Sequence, residues 1–460
     1  MSSTAATPDG QDSSALHPTA GRFGPSYFKL FGASTISNLG DGIGVLAYPW
    51  LASALTRNPL LIALVAVVQR LPWLLFSLPA GVITDRVSRR TLMIRANAAR
   101  FVVTLGVAFL VLAKQGGLPG PEQLSSGAAE AVDDVSLYLL ILLATLLLGV
   151  AEVFYDNAAQ TFMPSVVHKE DLERANGRLW SSEQVANEFL GPPIGGFLLA
   201  IAFALPFFVD AATFAVSAAL ITLIPATLNR PTAESDRASD NTAPTTWRME
   251  LREGFAWLWK HELLRPMAII LGVLNAIGSM SFAILVLFGQ EVLDTSPTEF
   301  ALLTTGGAVG GIIGGWTASA ISKRIGPGRS LALTLVGSGV ATTIVGFQSW
   351  WPIVWFLFGF QMTLGVLWNV ITVSLRQSII PDRLLGRVNS VYRFFAWGMI
   401  PIGSALGGVI VAIADVNGSR EFALRLPWFV AGGCYLVLFV FAAPKLTTAK
   451  IEAARAAAAD

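Results

Sequence analysis

The sequence predicts an all-α integral membrane protein, twelve transmembrane helices arranged as two pseudo-symmetric six-helix bundles. Three observations point there. Hydrophobic residues fill 53% of the 460 positions and charged residues only 13%, about half the charged share of a soluble domain. Apolar runs recur at the roughly 20 residues that one helical crossing of a bilayer needs. The two halves of the chain also echo one another.

The predicted spans are 28–55, 59–84, 92–113, 135–160, 177–203, 205–225, 266–292, 298–320, 330–348, 352–375, 388–414 and 425–443. Hydrocarbon offers backbone groups no partner, so each run must close its own hydrogen bonds and is a helix. Residues 1–26, rich in Ser, Thr, Pro and Gly, lack the pattern of a signal peptide and read as a disordered tail. Residues 27–225 form the first bundle, 226–265 a linker, 266–444 the second bundle, and 445–460 a second tail. Within the linker, Trp247 to Lys260 sets Trp247, Leu251, Phe255 and Leu258 on one helical face, which suits a helix on the inner membrane surface or one docked between bundles.

Basic residues set the orientation, because cytoplasmic loops retain Lys and Arg. With both termini cytoplasmic, only Arg57, Lys114, Arg420 and Arg425 fall on the far side, while Arg70 and Arg100 lie within spans. A multi-pass protein of the cell membrane is expected. Lys plus Arg total 31 against 30 Asp plus Glu, so nothing favours a nucleic-acid partner. The expected partners are a small-molecule substrate, protons and membrane lipid, and the expected state is a monomer.

The internal repeat is clearest at an offset of 213 residues. SVVHKEDLERANG from Ser165 overlays SIIPDRLLGRVNS from Ser378, pairing Leu172 with Leu385, Arg174 with Arg387 and Asn176 with Asn389. Each block joins the fourth span of its half to the fifth, as two equivalent bundles require.

Catalysis finds little support. No Gly-Lys-Ser or Gly-Lys-Thr phosphate loop and no G-x-S-x-G elbow is present, His261-Glu262 lacks the second histidine of a zinc hydrolase, and the other histidines, His17 and His168, also lie outside the spans. Cys434 is the single cysteine, so no intrachain disulfide or cysteine metal site forms. The chain is expected not to be an enzyme and to need neither cofactor nor metal.

Ionisable residues inside the spans are costly, at least about 2.5–3.5 kcal/mol each at mid-bilayer, and so mark function. Asp41 of span 1 and Arg70 of span 2 lie at similar depth and form a predicted pair, with Asp41 the first candidate proton carrier and a static ion pair the alternative. Glu152 and Asp156 share one face of span 4. Glu152 is a titratable or cation-contacting group, or a structural hydrogen-bond partner. Asp156, nearer the inner end, is placed against the loop arginines. Glu188 is preferred to Glu183, which stands about 140° away around an ideal helix, and Asp210 reads as a cap opening span 6. Arg376 and Arg393 read as snorkelled or latch contacts. The second half offers Asn275, Gln361, Trp368, Asn369 and Trp397 as walls of an apolar, aromatic substrate cavity.

Two motifs carry a family resemblance. Gly81-Val82-Ile83-Thr84-Asp85-Arg86-Val87-Ser88-Arg89-Arg90 resembles the loop signature G-x-L-x-D-R-x-G-R-R of the major facilitator superfamily, with Ile83 and Ser88 as departures. Gly81, Asp85, Arg86, Arg89 and Arg90, with Asp156, would form a conformational latch. The second half keeps a worn copy, Lys323-Arg324-Ile325-Gly326. Gly191-Pro192-Pro193-Ile194-Gly195-Gly196 in span 5 resembles the G-P-x-x-G-G of that superfamily's antiporters, a kinked and closely packed helix; Pro401, Gly403, Gly407 and Gly408 answer it in span 11. Gly307, Gly311 and Gly315 of span 8 form a small-residue packing stripe. The loops around Asp156 to Asn176 and Pro381 to Asn389 are similar to the enterobactin-exporter and macrolide-efflux branch. The resemblance implies proton-coupled export of an amphipathic drug or siderophore-like molecule by alternating access. A nutrient importer and a non-transporting receptor or assembly factor are the alternatives.

Overall fold

The computed structural model describes residues 21–125, 132, 134–228 and 247–459. The side chains of 77–78, 81–82, 85–86, 115, 169, 247–251, 382–383, 385–386, 390, 393, 417 and 458–459 lie outside that set, as does the tail over residues 1–20. Helices form at every predicted span: Pro25–Leu55, Pro59–Arg86, Arg89–Lys114, Val135–Val166, span 5 in three pieces, Leu205–Thr222, span 7 as Leu264–Phe282 and Leu285–Glu291, Pro297–Ile325, Pro327–Phe347, Trp351–Ile379, Asp382–Asn417 and Arg420–Ala442.

Ten of these are long and apolar enough to cross a membrane. The other two, spans 1 and 5, carry Asn38, Asp41, Glu183, Asn187 and Glu188. They pack on each other, a Cβ at Gly191 meeting the Gly42 carbonyl carbon at 2.7 Å. Asn38, Asp41, Glu183 and Asn187, which would be costly against lipid, are thus partly covered by protein, while Glu188 stays exposed. Apolar side chains elsewhere stay exposed, as Trp316 does at 81%, which is what a lipid-facing surface requires.

Span 5 departs from a continuous helix for a covalent reason. Pro192 and Pro193 have no N–H to return to the carbonyls of Glu188 and Phe189. The chain runs as α-helix over Leu172–Gln184, widens to a π turn at Val185–Leu190, where the Gly191 N–H reaches back to the Ala186 carbonyl, and resumes at Gly191–Ile201. Spans 2, 4, 8 and 12 begin on side-chain caps from Asn58, Asp134, Ser296 and Ser419, satisfying the orphan N–H groups of each first turn.

The apolar core has a telling distribution. At the end away from the termini one cluster joins both bundles, with Trp50, Ile62, Leu199, Phe300, Val411 and Trp428 in common. At the terminal end there are two clusters, one around Tyr27, Phe162 and Ile221 and the other around Leu264, Leu375 and Ile451. The bundles are therefore fused at one end and separately cored at the other.

The linker helix forms as Trp247–Lys260, its Leu258 buried in the second bundle and Glu253 paired with Arg387 of span 11. It docks on a bundle, while Phe255 and Trp259, stacked 5.1 Å apart, remain exposed. The C-terminal tail folds as Thr448–Ala459, with Ile451 in the same core. The predicted glycine stripe of span 8 is displaced by one position. Gly307 and Gly315 face open space, whereas Gly306 and Gly314 press on Trp355 and Thr363 of span 10.

Candidate functional site

The interior of the first bundle gathers its charges around Arg100, in the middle of Arg89–Lys114. That helix carries Asn97, Arg100 and Thr104 on one buried face, and span 6 opposes them with Ser217, Phe214 and Asp210. The Asn97 amide donates to Ser217 at 2.7 Å, and the Arg100 guanidinium lies 4.0 Å over the Phe214 ring. Because the helices run antiparallel, the next step of this ladder sets Thr104 level with Asp210. Arg100, only 2% exposed, donates to Ser37 at 3.0 Å and is ion-paired with Asp41.

The Asp41 partner is thus Arg100, not Arg70, a correction to the predicted pair. Similar depth did not decide it; the azimuth of each residue around its helix did. Arg70 instead stands within electrostatic reach of Glu152 and Glu188. Glu152 also feels Asp41 and Arg100 and sits beside Trp73. Six carboxyls, Asp41, Glu152, Asp156, Glu183, Glu188 and Asp210, therefore gather around two guanidiniums, Arg70 and Arg100; Asp210 and Arg100 are buried, Glu188 is exposed and the rest are half-buried.

Asp156 belongs to this interior rather than to the loop. Span 4 runs on to Val166, beyond its predicted end, which puts Asp156 about 15 Å inside at 1.5 Å per residue. Its charged neighbours are Glu152, Glu183, Arg100 and Asp41. Asp210 is no cap either: it lies within Leu205–Thr222, 3% exposed. The π turn begins between Glu183 and Glu188 and includes Glu188, replaces the 100° step, and leaves the two in electrostatic reach.

In the loop motif, Arg89 donates to the Thr161 carbonyl at 2.8 Å, and Arg90 donates to those of Ile224 and Thr222 at 2.8 and 2.7 Å. Those last carbonyls of span 6 are natural cation acceptors. Ser88 caps Arg89–Lys114, accepting from the Thr91 N–H at 3.1 Å, so its departure from glycine adds a cap to a two-residue turn. Gly81 and the side chains of Asp85 and Arg86, like that of Arg393, fall outside the described residues.

The antiporter-like motif works on two fronts. Gly195 lies against Ile43 of span 1, its Cβ position 3.0 Å from the Ile43 carbonyl, while that of Gly196 meets Ala301 and is 2.6 Å from the Pro297 carbonyl of span 8. The second bundle reciprocates: a Cβ at Gly408 would stand 2.6 Å from Ala63 and 3.0 Å from the Pro59 carbonyl of span 2. Beside these contacts Arg57 pairs with Glu291 at 3.6 Å, and Arg420 bridges Glu291 and Asp415 at 2.8 and 2.7 Å.

The predicted second-bundle residues divide. Trp397 of span 11 stacks on Trp73 of span 2, ring centroids 5.7 Å apart, next to Glu152. Asn275 braces spans 7 and 11 through the Ala396 carbonyl at 2.8 Å. Gln361 turns to Thr342 of span 9 and Trp368 is buried in the bundle's own core, so neither lines the space between bundles. Asn369 is exposed. Arg376 stacks on Tyr392, 4.5 Å from ring centre.

Sequence reading left Arg100 without a role and missed Trp73 and Tyr48. The spacing of Asn97, Arg100 and Thr104 on one face of an otherwise apolar helix was the available signal.

Comparison with known proteins is decisive at this point, since residues 23–458 match the family described as transmembrane secretion effector. The chain belongs to that family, within the major facilitator superfamily. As a member it is an efflux-type membrane transporter and not an enzyme. Among similar proteins, the multidrug efflux pump Tap of Mycolicibacterium fortuitum is 25% identical over 425 residues, covering 89% of this chain and 94% of Tap. The enterobactin exporter EntS of Citrobacter koseri is 24% identical, over 86% of this secretion effector and 88% of EntS. A solved form of the nucleoside transporter NupG superposes with a TM-score of 0.68 at 10% identity, over 92% of this chain and all of that one, which bears on the fold alone.

Proposed function

We propose that this secretion effector exports an amphipathic small molecule, drug-like or siderophore-like, in exchange for protons. The reading rests on one observation above all: Asp41 of span 1 and Glu152 of span 4 both face Arg100, where six carboxyls meet two guanidiniums. Charges held at membrane depth must be balanced locally, and with too few arginines the balance falls to protons. Asp41 is the exchanging carboxyl, with a side chain 20% exposed against 2% for Arg100. Glu152, Glu188 and Arg70 tune it.

The Trp73–Trp397 stack beside Glu152 offers aromatic faces from both bundles and a nearby carboxyl, which favours flat, lipophilic cations. Both termini are cytoplasmic, in a monomer of the cell membrane with bundles at 27–225 and 266–444. The shared core at the end away from the termini then makes this the state facing the cytoplasm, sealed outside by the GPPIGG contacts, while the loop of Asp85, Arg86, Arg89 and Arg90 latches the opposite state. In everted vesicles acidified inside, ethidium should discharge part of the pH gradient, and Asp41→Asn should abolish that discharge. An undiminished discharge in the variant would overturn the coupling.

A further inference from the structure

Deeper than Asp41, a second carboxyl has no counter-ion of its own. Asp210 sits at the span 1 groove made by Gly40 and Gly44, where a Cβ at Gly40 would collide with its carboxyl and one at Gly44 would stand 3.6 Å away. Among the described residues its Oδ1 has no hydrogen-bond partner, and neither has the Arg100 Nε, both buried. Near Asp210 the described residues of the helices packed on span 6 bring few charges: Asp41 and Tyr48 from span 1, Arg100 from span 3, and none from Gly191–Ile201, while Lys29 of span 1 and Arg90 of span 3 reach only the carbonyls at its inner end. Arg100 is the sole cation among the described groups near Asp210, and it is already held by Asp41. Its guanidinium rests over Phe214, one helical turn along the same face from Asp210.

We infer that Asp210 is a second proton-binding carboxyl, sealed within the first bundle, and that Arg100 is the single counter-ion it shares with Asp41. An ionised carboxylate without a partner is strongly disfavoured in such surroundings. With Arg100 on Asp41, the proton therefore stays on Asp210. When the proton passes from the Asp210 oxygen to the Asp41 oxygen, the guanidinium moves one turn along span 6 and the charges remain balanced. Two carboxyls, one guanidinium and one proton make the unit. This deepens the proton-exchange reading and supplies it with a store closed to the cavity.

Infrared difference spectroscopy of the full-length protein in lipid tests this without transport. At neutral pH the wild type should show the carbonyl stretch of a protonated carboxyl that Asp210→Asn removes. Asp41→Asn should remove the same band, because the freed Arg100 then ionises Asp210. Arg100→Gln, which keeps both carboxyls, should preserve the Asp210 band and add one from Asp41, guarding against a misfolded Asp210 variant. Absence of a band sensitive to Asp210→Asn, or its persistence in Asp41→Asn, overturns the proposal. Ethidium-driven proton release on the same samples separates the two readings: bands as expected without release sink the transport proposal alone, and release without the bands sinks this one.

Discussion

Gly196 and Ala301 meet across the two bundles with no room for a side chain on the glycine, whose Cβ position lies 2.6 Å from the Pro297 carbonyl. Ala63 receives Gly408 in the same way, five residues into a helix that also opens on proline. Gly196→Val should force these ends apart. Overpacking of this kind costs about 1–3 kcal/mol, roughly fivefold to a hundredfold or more in population, directed against the state described above. Spin-label distances between residues beside Arg57 and Glu291 should lengthen, and unchanged distances would show the contact to be looser than its geometry.

The ion pairs beside that contact have a smaller task. Arg57 and Glu291 have side chains about one-fifth exposed, at 23% and 21%, so each pair is worth only about 0.2–1 kcal/mol and is screened by salt. Glu291→Gln removes the acid that Arg57 and Arg420 share. The same distances should lengthen in a small fraction of molecules, at most about fivefold above wild type, and high salt should erase most of the difference. An effect as large as that of Gly196→Val would mean the charges, not the glycines, hold this end.

His261 gives a pH-dependent prediction outside the spans. Its Nδ1 accepts the N–H groups of Leu263 and Leu264, both at 3.2 Å, ahead of Leu264–Phe282. Burial holds its pKa below the usual imidazole value, with Glu262 opposing. The neutral form is the folded form, so its contribution is present above about pH 6.5 and is lost as pH falls through the lower folded value. Protection against hydrogen exchange at residues 263–267, corrected for the intrinsic rate at each pH, should fall on acidification in the wild type and not in His261→Asn, which keeps an acceptor. Equal pH sensitivity in both would exclude the cap.

The architecture was legible because it is set by one-dimensional patterns: bilayer-length apolar runs and a repeat. That repeat has a structural meaning. Spans 4 and 10 end at Val166 and Ile379, one offset apart. Arg174 pairs with Asp171 and lies 4.5 Å over Phe23, ahead of span 1, while Arg387 pairs with Glu253, ahead of span 7. Each arginine thus ties down the segment entering its own bundle. The site was less legible. Depth along a helix follows from residue number, so Asp41 and Arg70 could be put level. Which helix each faces depends on rotation and crossing angle, and a π turn caused by two prolines changes the rotation for everything beyond it. Asp210 was misjudged because one polar residue near a predicted helix start looks the same whether it caps or is buried.

The Trp73–Trp397 pair makes the substrate reading quantitative. Its rings come from different bundles and lie nearly parallel, 22° apart, so a flat solute bound here must insert between or beside them. Stacked aromatic pairs contribute about 0.5–1.5 kcal/mol beyond their area, roughly two- to tenfold in affinity. Trp397→Ala should weaken ethidium binding by at least that factor, measured by fluorescence titration of the protein in detergent. Trp397→Phe should recover much of it, since a ring face remains. Glu152→Gln should weaken the cation while sparing a neutral solute of similar shape, because only the cation uses the carboxylate. Wild-type affinity in Trp397→Ala would move the binding site away from this stack and leave Glu152 to the proton machinery.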